Sequence, residues 1–203
     1  MKLDLVVSGV GGQGVVTFSR IIVRAALAEG FDAHYLTMSA ASQLEGAVRS
    51  HIRIGNPAGP SARIRRGGAD VVIGMDRLEV LSDRRYLSGG GTLLVVDGGL
   101  IPLLARTGAG KYPSREDVER CYAPEKVVWI PVPEFIKKSG YPGLIGAVLL
   151  GSLAAIAPVV DRDHLVKALQ EEKPFLADLE TDAFFEGYYL AGGEESFRGN
   201  SVG

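Results

Sequence analysis

Gly9-Val10-Gly11-Gly12-Gln13-Gly14 stands directly after an apolar run, Leu3 to Val7, and directly before a helical pattern. A glycine-rich turn placed between strand and helix suits the holding of an anionic group. Glycine lets the backbone reach positive φ, and the unpaired amides of the following helix face whatever approaches. Gln13 adds a side-chain amide that both donates and accepts. A dinucleotide site also wants an acidic residue about 20 positions on, to hold the ribose hydroxyls. Here the second apolar run, Phe31 to Met38, ends in Thr37-Met38-Ser39 with no carboxylate, which weighs against a nicotinamide cofactor. The same glycines also serve close helix–strand packing with no ligand at all, and on the residues alone both readings stand.

A second chemical feature is cationic. From Val48 to Ile54 the chain alternates: Val48, Ile52 and Ile54 share one side, and Arg49, His51 and Arg53 the other. Ala62-Arg63-Ile64-Arg65 continues the alternation beyond a loop at Asn56-Pro57-Ala58-Gly59-Pro60. Paired as a hairpin, the two runs gather four arginines and a histidine on one face. Glu171, Glu172, Asp178, Glu180, Asp182 and Glu186 near the C-terminus supply part of the balancing charge, so charge is segregated along the chain. Such a face protects a sheet edge from unwanted pairing, or it receives an anion or an acidic partner, since arginine forks suit phosphate and carboxylate.

Other chemistry finds less support. His34, His51 and His164 lack metal-ligand spacing. Cys121 has no base nearby and reads as a structural thiol. Ser42 and Ser50 lie near His51 in sequence, but no nucleophile elbow is present. Asp76 and Glu79 follow a strand, at the edge where open sheets bind ligands, and equally suit the first turn of a helix. No catalytic residue and no metal ligand is assigned.

These residues need elements to position them. Strand-like runs recur at Leu3–Ser8, His34–Met38, Val48–Ile54, Val71–Gly74, Thr92–Val96 and Val127–Ile130. Several lack polar alternation, as strands covered on both faces do. Helical patterns occupy 12–29, 75–82, 114–121, 134–139, 142–157, 161–170 and 174–190. Gly30 reads as a helix stop, Asp161 as an N-cap, and Ser114 with Asp117 as a capping box. Gly89-Gly90-Gly91 reads as the turn before a buried strand. The expected class is α/β: an open, mostly parallel, doubly covered sheet of Rossmann-like three-layer form, with an appended basic β-hairpin and C-terminal helices. Residues 1–190 are expected to form one domain, and residues 191–203 a disordered tail.

With 203 residues, 46% hydrophobic and 23% charged, and a net charge of -2, the composition is that of a soluble globular domain with no drive towards nucleic acid. The single cysteine excludes a disulfide framework and an iron–sulfur cluster held by this chain's own thiolates. No secretory signal is evident, and the apolar stretch Leu144 to Val160 is short for a span and contains Pro158. A cytoplasmic location is expected, with no membrane partner.

Taken together, Gly9-Val10-Gly11-Gly12-Gln13-Gly14-Val15-Val16-Thr17 and the block from Met38-Ser39 through Ser42-Gln43-Leu44-Glu45-Gly46 to Val48-Arg49-Ser50-His51-Ile52-Arg53-Ile54-Gly55 carry a family likeness. They resemble the two signatures of the gamma subunit or domain of 2-oxoacid:ferredoxin oxidoreductases, in the form found in the indolepyruvate (arylpyruvate) branch's beta subunit. Shorter echoes are Ala69 to Gly74, Gly90-Gly91-Thr92, Tyr112-Pro113-Ser114 and Leu149-Leu150-Gly151, and the likeness runs from about Leu3 to Ala157. It departs at Gly146, where the family commonly has asparagine, and at Asp97, where a polar Asn-type residue is frequent.

The resemblance implies a subunit without independent activity. Its larger partner would hold thiamine diphosphate and iron–sulfur clusters and pass electrons to ferredoxin, with coenzyme A as acyl acceptor. Gly9, Gly11, Gly12, Gln13 and Gly14, with Ser42, Gln43 and Glu45, would line the mouth of the shared active site. Arg49 and Arg53 would supply positive charge to a carboxylate, a phosphate or an acidic partner. Two alternatives stand beside it: a free-standing, self-associating nucleotide- or coenzyme A-binding protein, and a nicotinamide or flavin oxidoreductase.

Overall fold

Six apolar runs become the six strands of one sheet: β1 (Leu3–Val10), β2 (Ala33–Ser39), β3 (Ala47–Ile54), β4 (Ala69–Gly74), β5 (Leu87–Asp97) and β6 (Lys126–Pro131). The computed structural model describes residues 2–39, 46–55, 61–98, 112–139, 141 and 143–194. Its α-helices are α1 (Val15–Ala28), α2 (Arg77–Asp83), α3 (Arg115–Tyr122), α4 (Glu134–Ser139), α5 (Leu144–Ile156), α6 (Arg162–Glu172) and α7 (Ala177–Leu190). The strand order is β2-β3-β1-β4-β5-β6. β1, β4, β5 and β6 run parallel, whereas β3 is antiparallel to both its neighbours, β1 and β2.

Alternate residues of the central strands feed two cores, as the period-2 pleat requires. Leu5, Val7, Ile52, Ile54, Ile73 and Leu94 face a layer of α1, α5, α6 and α7. Val6, Val72, Leu93 and Val95 face Val80 of α2, Val118 and Tyr122 of α3, and Ile64. The result is the expected three-layer arrangement. α5 and α7 cross at glycines: a Cβ on Gly151 would lie 1.8 Å from the Phe184 carbonyl oxygen, and one on Gly187 1.9 Å from that of Val148. No larger residue fits at either position without parting the helices.

Local signals read from the sequence recur in the structure. Asp161 accepts from the Asp163 amide at 2.8 Å, and Ser114 and Asp117 form a reciprocal capping box. Gly30, at φ 88°, closes α1.

Two expectations are corrected. Residues 62–65 do not form a hairpin with Val48–Ile54. β3 already has a strand on each side, so no free edge remains, and 61–65 run as irregular chain over its face. Gly89-Gly90-Gly91 is not a turn before the strand but lies within β5. The β4–β5 ladder shifts register there, pairing Ala69 with Leu87 and then Val71 with Thr92. Gly90 takes φ 81° in this irregularity.

Candidate functional site

The chain reverses its direction of travel along the sheet between β1 and β4. From β1 the connection through α1 leads outward to β2, and from β4 the connection through α2 leads the other way to β5. Open α/β sheets bind ligands in the crevice this creates beyond the strands' carboxyl ends. The glycine turn lies there. Gly12 and Gly14 take φ 89° and 88°, a left-handed backbone that would strain any side chain. A Cβ at either would meet nothing within 4 Å, so backbone conformation, not crowding, selects glycine. Gly9 is different: its Cβ would lie 3.1 Å from the Met75 Cβ, where the chain after β4 passes close to β1.

Three hydrogen bonds hold the turn in shape. Val10 donates to the Gln13 Oε1 at 2.9 Å, Gln13 donates its amide to the Val10 carbonyl at 3.1 Å, and Gly11 donates to the Gly46 carbonyl at 2.9 Å. Gln13 therefore shapes the turn through its oxygen. The first turn of α1 has no side-chain cap and no acidic residue of its own, so its amides present a partial positive charge at the crevice.

Across the crevice, beyond β4, β5 and β6, stands a polar group that sequence reasoning only touched. Asp76, 1% exposed, caps α2 by accepting from the Leu78 and Glu79 amides at 2.8 and 3.3 Å. It also accepts from the Tyr112 hydroxyl at 3.0 Å. Burial raises the Asp76 carboxyl above its ordinary range, against the pull of these donors. Burial also pushes the Tyr112 phenol up to about 12, so it stays protonated and donates. Arg77 pairs with Asp97 and lies 5.3 Å over the Trp129 ring. Arg115 reaches Asp97 at 3.5 Å and covers the same ring at 4.9 Å. Asp97, one of the two departures noted above, is thus the carboxylate on which two arginines converge. Arg77, Tyr112, Arg115 and Trp129 were missed as a group because they come from four separate segments; Asp76 and the run Tyr112-Pro113-Ser114 were the available signals.

Arg49, His51 and Arg53 share one face of β3, as the alternation requires, with Arg49 against α2 and opposite Ser8 in the ladder, and His51 and Arg53 beneath residues 61–65. Arg49 pairs with Asp83 and donates to the Ser82 Oγ at 2.7 Å. Arg53 sits opposite Asp4 in the β1–β3 ladder and donates to it at 2.9 Å. The carboxylates these arginines meet are internal. His51 is fully buried, its Nδ1 accepting from the Ile64 amide at 2.8 Å. Burial, with Arg49, Arg63 and Arg85 nearby, holds the imidazole down at about 4, so it is neutral. Ser50 faces the other way, 3.2 Å from the Thr37 hydroxyl, and forms no couple with His51.

Ser42, Gln43 and Glu45 lie outside the described residues, as does the loop Asn56 to Pro60. Burial raises the Cys121 thiol, which keeps it protonated. Among the described residues no group of three His, Cys, Asp or Glu side chains is placed to hold a metal ion, and no helix is long and apolar enough to cross a membrane.

Comparison with known proteins agrees with this geometry. The family described as pyruvate ferredoxin/flavodoxin oxidoreductase matches residues 4–190. The chain is 31% identical over 195 residues to the indolepyruvate oxidoreductase subunit IorB of Archaeoglobus fulgidus, covering 94% of this chain and 96% of that one. Its fold is similar to the pyruvate oxidoreductase subunit PORC of Thermotoga maritima (TM-score 0.72, 19% identity, 93% and 96% of the two chains). It is also similar to part of the 2-oxoglutarate:ferredoxin oxidoreductase of Magnetococcus marinus (TM-score 0.72, 18% identity, 94% of this chain and 31% of that one). With strand order, glycine turn and near full-length matches in agreement, this chain belongs to the pyruvate ferredoxin/flavodoxin oxidoreductase family, as a domain of the gamma-subunit type.

Proposed function

We propose that this chain is the smaller subunit of a cytoplasmic 2-oxoacid:ferredoxin oxidoreductase acting on arylpyruvates such as indolepyruvate, and that it completes an active site whose reactive cofactors belong to a larger partner. The observation that carries the reading is the near full-length match to an indolepyruvate oxidoreductase subunit. Thiamine diphosphate and iron–sulfur clusters in the partner supply decarboxylation and electron transfer. This chain's own part is positioning and the exclusion of water. The amides from Gly14 to Thr17, uncapped and at the crevice, fit an anionic group: a coenzyme A phosphate or a partner carboxylate. Gly9, Gly11 and Gln13 hold the turn in shape, and the family likeness assigns Ser42, Gln43 and Glu45 a part in the same function. Arg49 and Arg53 fix β3, with which the second signature ends.

The strand order also bears on the nicotinamide alternative. β3 stands between β1 and β2, so the end of β2 is two strand spacings from the glycine turn, about 10 Å instead of about 5. A ribose held at the turn lies that much farther from the residues after β2.

Co-purification with a thiamine-binding partner from the host tests the reading. The complex is expected to reduce a ferredoxin or a viologen dye with indolepyruvate and coenzyme A, and the isolated chain to do nothing. Turnover of a 2-oxoacid by the isolated chain, or tight binding of a nicotinamide dinucleotide, would overturn it.

A further inference from the structure

The chain carries a second cationic feature, at the opposite edge of the sheet from the glycine turn and independent of the function just proposed. Residues 61–66 precede β4, and Arg84–Tyr86 form a short 3-10 turn just before β5. Between them lies a cavity of about 400 Å³, lined by Arg63, Arg65, Arg66 and Arg85 together with Ser61, Ile64 and Tyr86. We propose that this basin binds a compact, multiply charged phosphate ligand: pyrophosphate, free or as the diphosphate portion of a nucleotide.

The backbone that carries the arginines is fastened in place. The Ile64 amide donates to the buried His51, and the Gly67 amide to the Arg85 carbonyl at 2.9 Å. The Gly68 amide donates to the Arg65 carbonyl at 3.1 Å, and Arg53 to the Ser61 carbonyl at 3.2 Å. Arg85 lies 5.0 Å over the Tyr86 ring, which is itself buried edge-on against His51. The four cations are thus brought together by a tethered frame.

Among the described residues they also lack ion-pair partners, although Asp83 lies close enough to Arg85 to attract it. Neighbouring arginines have carboxylates: Arg49 has Asp83, Arg53 has Asp4, and Arg84 has Glu125 at 2.7 Å. Among the described residues Arg63, Arg65, Arg66 and Arg85 make no ion pair, and the adjoining run Asn56 to Pro60 carries no acid. The acidic helices cannot serve. Glu172 pairs with Arg20 and Glu180 with Lys173, both in the layer on the other side of the sheet. Four like charges gathered on one frame repel one another, and an anion seated among them turns that repulsion into attraction. Guanidinium forks match phosphate oxygens two at a time. The concavity and its volume, within the range of roughly 300–1,000 Å³ usual for small-molecule sites, favour a small ligand over a flat acidic protein surface.

Calorimetric titration of the full chain with pyrophosphate at low salt tests this. One site per chain is expected, with an affinity that falls as salt rises. An Arg65→Ala, Arg85→Ala double variant should weaken binding by about tenfold or more. An Arg24→Ala, Arg120→Ala variant, which removes the same charge from α1 and α3, should stay within about twofold. Unchanged melting temperatures establish that both variants are folded. ADP binding more tightly than pyrophosphate identifies a nucleotide as the source, and the reverse order a free anion; either supports the site. Absence of pyrophosphate binding, equal loss in the two double variants, or displacement by polyglutamate at lower concentrations than by ADP would overturn it, the last in favour of an acidic protein partner.

Discussion

The stretch from Arg49 to Arg66 contains five arginines, and its two halves have opposite electrostatic fates. In the β3 half, Arg49 and Arg53 are largely covered and meet Asp83 and Asp4. In the following half, Arg63, Arg65 and Arg66 are exposed, and with Arg85 they line a cavity and make no ion pair among the described residues. His51 divides the two, neutral and buried, with its ring nitrogen holding the Ile64 amide. A cation's role here depends on whether an acid arrives from elsewhere in the fold. The first half holds the layers together; the second is left to attract something from outside.

The largest effect that would break this contrast lies in the first half. Arg49→Ala leaves the fully buried Asp83 side chain without its counter-charge and should cost about 3–5 kcal/mol in urea unfolding. Joint replacement by Arg49→Met and Asp83→Leu should recover most of that loss, because it removes both charges together. A cost below about 1 kcal/mol for Arg49→Ala would place this arginine with the solvated ones.

Next comes pH. His51 has a folded pKa of about 4, below its ordinary 6.5, so the unfolded chain takes up a proton first as pH falls. Its contribution is present above pH 6.5 and lost towards pH 4, up to about 3 kcal/mol. Burial raises the carboxyls of Asp76, Glu79 and Asp83, which act with the opposite sign. The comparison with His51→Asn therefore isolates the histidine. Unfolding midpoints of that variant should fall less steeply with acid, and parallel profiles would mean that the interior of this face is not sealed.

The smallest effect belongs to the second half. Arg65→Ala with Arg85→Ala should change stability by no more than about 0.5 kcal/mol, towards greater stability at low salt, and the gain should vanish as salt screens the repulsion. A clear loss of stability would show these arginines to be structural after all.

Much of the fold was legible because its signals are local. All six strand runs and the helical patterns that follow them recur within a few residues of their expected bounds. Gly12 and Gly14 adopt the positive φ that a strand-to-helix turn requires, and Ser114, Asp117 and Asp161 cap as their spacing implies. The place of β3 was not legible. Its arginines and histidine gave it the appearance of an edge strand, whereas Asp4, Ser8 and Asp83 make an interior position tolerable. The polar group at Asp76, Asp97, Tyr112 and Trp129 escaped notice for a related reason: no single window contains enough of it.

From the sequence alone came the α/β alternation, the glycine turn with its anion-ready helix, the caps, and the family. Each rests on neighbouring residues or on a contiguous motif. The tertiary structure alone decided which strand lies inside the sheet, which arginines pair with buried aspartates, and which gather at the opposite edge with no ion pair among the described residues. Those outcomes depend on residues brought together from distant segments, as with Arg53 and Asp4, and a charge has no assigned task until folding has chosen its neighbour.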